Sequence, residues 1–160
     1  MAQVKIYAVG DGAKNIVQNL PSSCCKGEVQ LVASLPQAQS INFGAEGLAI
    51  IVVALGGQTG TRGAICLAER AKAAGQFTIA VVSCPATLNE FTDEALRVLK
   101  ANCAGLVQFT NDLLESEVSS RQVFSVLEAL NGRMASLINR IASREDLEPS
   151  TCQSQLDAMQ

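Results

Sequence analysis

Histidine and tryptophan are both missing from this chain, and tyrosine occurs once. Without imidazole the usual general base is gone, so any hydrolysis has to rest on carboxylates, metal or positioning. The six cysteines (Cys24, Cys25, Cys66, Cys84, Cys103, Cys152) form no Cys-x-x-Cys pair. With no histidine beside them, a zinc site is not expected. Cys66, Cys84 and Cys103 lie among small apolar neighbours and read as buried thiols acting as small hydrophobes. The vicinal Cys24-Cys25 is open to a redox or metal role, against a variable loop with reduced thiols, which is the preferred reading. No metal ligand and no catalytic residue is assigned.

Charge is also scarce. Charged residues make up 17% of the 160, with 12 Lys and Arg against 15 Asp and Glu, for a net charge of −3. No basic cluster stands out, which argues against a nucleic-acid partner. No apolar run approaches the roughly 20 residues that span a bilayer. The chain opens directly into the strand-like Val4–Val9 without signal-peptide architecture, so a cytoplasmic location is expected. Hydrophobic residues reach 48%, enough for one globular domain with a sizeable core.

Strand and helix patterns alternate along the chain. Strands are expected at Val4–Val9, Glu28–Ser34, Leu48–Ala54, Phe77–Ser83 and Gly105–Phe109. Helices are expected at Ala13–Leu20, Gly63–Ala74 (closed by Gly75), Asn89–Ala101 (capped by Asn89) and about Ser119 to Ser143. Pro36–Gly47 reads as a loop. Repeated β-α units predict an α/β fold, a three-layer, doubly wound and mostly parallel sheet. Residues 1–144 form the domain, and the polar stretch 145–160 reads as a mobile tail. In the last helix Val123, Leu127, Leu130, Met134, Leu137 and Ile141 recur at steps of four and three. A stripe buried against the sheet is the plain reading, and a coiled-coil seam the alternative. Arg140 and Arg144 suit that helix's C-terminal dipole without a further role.

The most specific feature is Gly56-Gly57-Gln58-Thr59-Gly60-Thr61-Arg62, between the apolar run Leu48–Ala54 and a helix. A buried strand that breaks into a Gly/Thr turn aims backbone N–H groups, two hydroxyls and a helix N-terminus at one point. Such a point attracts an anion, usually phosphate. It is not a Walker A loop, because no Lys-Ser/Thr follows the last glycine. A dinucleotide site is disfavoured too: Gly10-x-Gly12-x-x-Asn15 lacks the third glycine, and no acidic residue ends the second strand.

The loop resembles the Gly-Gly-Gly-Thr-Gly-Thr-Gly signature of the tubulin/FtsZ family of GTPases, with Gln58 and Arg62 in place of two glycines. Other segments are similar in the same order. Val4–Asn15 resembles the first strand and its glycine-rich phosphate loop, with Gly10, Gly12 and Asn15 matching. Gln108–Leu114 resembles Pro-Asn-Asp-x-Leu-Leu, whose Asn (here Asn111) contacts the nucleotide. Phe124 and Glu128 stand where the central helix stacks an aromatic ring on guanine and binds its edge; a carboxylate accepting two N–H groups suits that task. The resemblance covers about two-thirds of the chain. It implies a Rossmann-like nucleotide domain with GTP or GDP, and Mg²⁺, as its ligands. The implied binding residues are Gly10, Gly12, Asn15, Gly56, Gly57, Thr59, Gly60, Thr61, Asn111, Phe124 and Glu128.

The departures from the family pattern carry weight as well. Pro36–Gly47 lacks the longer insert with a loop for the γ-phosphate. Asp11 places negative charge in a phosphate loop unless Mg²⁺ or Lys14 offsets it. Arg62 either supplies charge to an anion or fills the site itself. Asn139–Asp146 does not reproduce the acidic loop that completes hydrolysis on a neighbouring subunit, and the family's second domain is expected to be absent. Three readings stay open. The first is a truncated FtsZ-like accessory or regulator of cell division or cytoskeletal assembly, inefficient as a GTPase and acting on full-length FtsZ-like protein or on itself. The second is a stand-alone GTP-binding protein or slow GTPase. The third is a nucleotide-free assembly protein that dimerises through the 123–141 helix.

Overall fold

The computed structural model describes residues 4–20, 27–43, 47–56, 58–85, 90–111, 120–144 and 146–160. Expectations that fall on Cys24, Cys25, Gly57 and the Asn89 cap lie outside them.

Five strands form one sheet: β1 (Val4–Val9), β2 (Gly27–Val32), β3 (Leu48–Ala54), β4 (Phe77–Pro85) and β5 (Gly105–Asn111). Their order is β2-β1-β3-β4-β5 and every neighbouring pair is parallel. β3 is apolar throughout, and Ile50, Ile51, Val52 and Val53 are fully buried, as a strand covered on both faces requires. Helices α1 (Gly10–Val17), α5 (Ser120–Ser143) and α6 (Cys152–Ala158) share one core cluster with the sheet. Helices α2 (Leu35–Gln39), α3 (Gln58–Ala73) and α4 (Glu90–Asn102) contribute to the cluster on the opposite face. The three-layer doubly wound α/β arrangement is therefore present. No described helix is long and apolar enough to cross a membrane.

Local chemistry accounts for the element ends. α4 buries Thr92, Ala95, Leu96 and Leu99, one stripe at helical spacing. α3 closes in a Schellman motif: Gly75 takes φ +81°, Gln76 N donates to Ala71 O and Gly75 N donates to Lys72 O, both at 3.0 Å. α2 occupies part of the stretch read as a loop. Ser34 caps it by accepting from Gln37 N at 3.3 Å, and Pro36 sits in the first turn, where its missing N–H costs nothing.

Two expectations change at the C-terminal end. The stretch read as a mobile tail contains α6, which packs on the sheet with Cys152, Leu156 and Met159 buried. Arg140 does more than answer a dipole, since its Nη2 donates to Met159 O at 2.8 Å and tethers the end of α6. Arg144 pairs with Asp146. The α5 stripe is buried inside the molecule, with Leu130, Met134, Leu137, Ile138 and Ile141 in the core. These residues are not free to form a dimer seam. The side chains of Val123 and Leu127 lie outside the described part.

Candidate functional site

The strand order places a topological switch at β1 and β3. The chain leaves β1 toward β2 on one side and returns to β3 on the other, and such sheets bind ligands beyond the carboxyl ends of those strands. The two glycine turns meet there. Gly10 starts α1 directly after β1 at φ +84°, a conformation that excludes most other residues. The N-cap position falls on Val9, which gives no side-chain cap, so the first N–H groups of α1 have no side-chain partner from that residue.

After β3 the turn is shorter than the sequence suggests. Leu55, Gly56 at φ +119° and the undescribed Gly57 separate β3 from α3, so Gln58-Thr59-Gly60-Thr61 belong to the helix's first turn. Packing between the turns is tight. A Cβ on Gly10 would stand 3.2 Å from Gly60 Cα, and one on Gly60 would stand 3.3 Å from Val9 O. One on Gly12 would lie 2.6 Å from Ala54 Cβ, and one on Gly63 would lie 2.8 Å from Val9 Cγ1. Thr61 is fully buried, and its Oγ1 accepts from Gly56 N at 3.3 Å.

The structure thus brings Gly10, Gly12, Gly56, Gly60 and Thr61 into one place. Asn15 is exposed on α1, where its carbonyl accepts from Asn19 Nδ2 at 3.1 Å. Glu128 is exposed on α5, the helix that packs beside α1. Asn111 ends β5, three strands from β1, or roughly 14 Å across the sheet. The side chains of Thr59, Asn111 and Phe124 lie outside the described part. Arg62 is exposed on α3.

A nucleotide fits part of this arrangement. Its phosphate would meet the uncapped start of α1 and the open space at Gly56, where an added Cβ would meet nothing within 4 Å. Thr61 fits the same task poorly, because its side chain is fully buried while its oxygen accepts from Gly56 N. The missing Cβ atoms of Gly12, Gly60 and Gly63 are already accounted for by Ala54 and Val9. Among the described residues no group of three His, Cys, Asp or Glu side chains could hold a metal ion.

Sequence reasoning missed a second polar arrangement, at the far edge of the sheet. Gln153 on α6 accepts from Leu106 N at 2.8 Å and donates Nε2 to Leu106 O at 3.0 Å. Beside it an open cavity of about 570 Å³ runs along β5, lined by Lys100, Cys103, Gln108 and Asp157 among others. Burial raises the Cys103 thiol to about 12, with Cys152 adding to the effect, and raises Cys152 to about 11. Both are protonated at neutral pH and poor nucleophiles.

No family model matches the chain, and neither does any curated protein. Solved structures do. CetZ from Methanosaeta thermophila strain DSM 6194 superposes with a TM-score of 0.70 at 12% identity, over 94% of this chain and 56% of that one. An empty FtsZ dimer from M. jannaschii superposes with a TM-score of 0.67 at 18% identity, over 92% of this chain and 57% of that one. The fold is FtsZ-like, and the chain spans a little over half the length of these two structures.

Proposed function

We propose that this chain is an FtsZ-like accessory protein that acts by contact with a filament-forming FtsZ-like protein and is not an efficient GTPase. The observation that carries this reading is the FtsZ-like fold over 92% of the chain, shared with an FtsZ that is a dimer while empty. A fold whose relative pairs when empty does not need bound nucleotide to present a protein-binding face. The tight turns at the switch point support the same view, since Thr61 and three glycines serve packing between α1, α3 and the strands. On this reading the protein works in the cytoplasm with its cysteines reduced.

The test is co-sedimentation and light scattering with FtsZ assembled in GTP. The protein is expected to enter the pellet or to change the assembly rate; a supernatant protein with unchanged assembly defeats the proposal. The second reading, a GTP or GDP ligand, is favoured by the uncapped N-terminus of α1 beside Gly56. Calorimetric titration with GTP, GDP and ATP, with and without Mg²⁺, decides it. Micromolar guanine-selective binding that is lost in Glu128→Ala would establish that reading, and no heat with any nucleotide would remove it.

A further inference from the structure

We draw no further inference here: the strongest candidate, the exposed apolar pair Val29 and Leu31 on the edge strand β2, is an unpartnered face, and nothing in the structure shows what covers it.

Discussion

At Gly12 an added Cβ would stand 2.6 Å from Ala54 Cβ, whereas at Gly132, within α5, it would meet nothing within 4 Å. These two glycines answer to different physics. Gly12 keeps α1 close to the end of β3, so Gly12→Ala forces one of them to shift and is expected to cost about 1–3 kcal/mol. Gly132 carries only the backbone entropy of a glycine in a helix, so Gly132→Ala is expected to stabilise by up to about 1 kcal/mol. Urea unfolding of the two variants checks both signs. A neutral Gly12→Ala would mean that packing does not explain this glycine, and a ligand would again be the better account. The sequence offers Gly12 as part of a phosphate loop; its packing role shows only in the proximity of Ala54.

α6 shows the same dependence at the level of an element. A Cβ on Gly105 would lie 2.5 Å from Leu156 Cδ1 and 2.7 Å from Cys152 Sγ, so α6 rests directly on the β5 backbone. Gly105→Ala is therefore expected to lift α6 from the sheet. Limited proteolysis should then cut within 146–160 well before the rest of the chain, while a cleavage pattern unchanged from wild type would refute the contact. The strands were legible in the sequence because buried parallel strands are uninterrupted apolar runs, and Leu48–Ala54 has little else it can be. α6 left a fainter trace: Cys152, Leu156 and Met159 fall at helical spacing inside an otherwise polar segment. α2 was hidden because Pro36 reads as a breaker, although Ser34 before it makes a good cap. At the candidate site the glycine turns were legible as turns, but not the inward commitment of Thr61. The Gln153–Leu106 pairing joins residues 47 apart, and no local pattern announces it.

For the molecule as a whole, buried thiols set an alkaline limit. Burial raises Cys84 and Cys152 to about 11, and the folded state holds both as neutral thiols. In the unfolded chain they ionise near 9.0. Below that pH both states keep the proton and stability is unaffected. Between about 9 and 11 the unfolded state has released it while the fold has not, so stability falls as pH rises. The slope approaches about 1.4 kcal/mol per pH unit for each thiol. Tyr7, raised by burial and then by Glu28, acts in the same direction at higher pH. The urea midpoint should be level from pH 7 to 8 and lower at pH 10; a level profile through pH 10.5 would contradict this. Tyr7 has a further consequence. It is the chain's only tyrosine, with no tryptophan to drain its excitation. It is buried in β1 two residues before Val9, with its ring edge-on to Phe43 at 5.4 Å. Intrinsic emission from this protein therefore originates at a single phenol beneath the switch point, and a ligand or partner that disturbs β1 can be followed by fluorescence without any label.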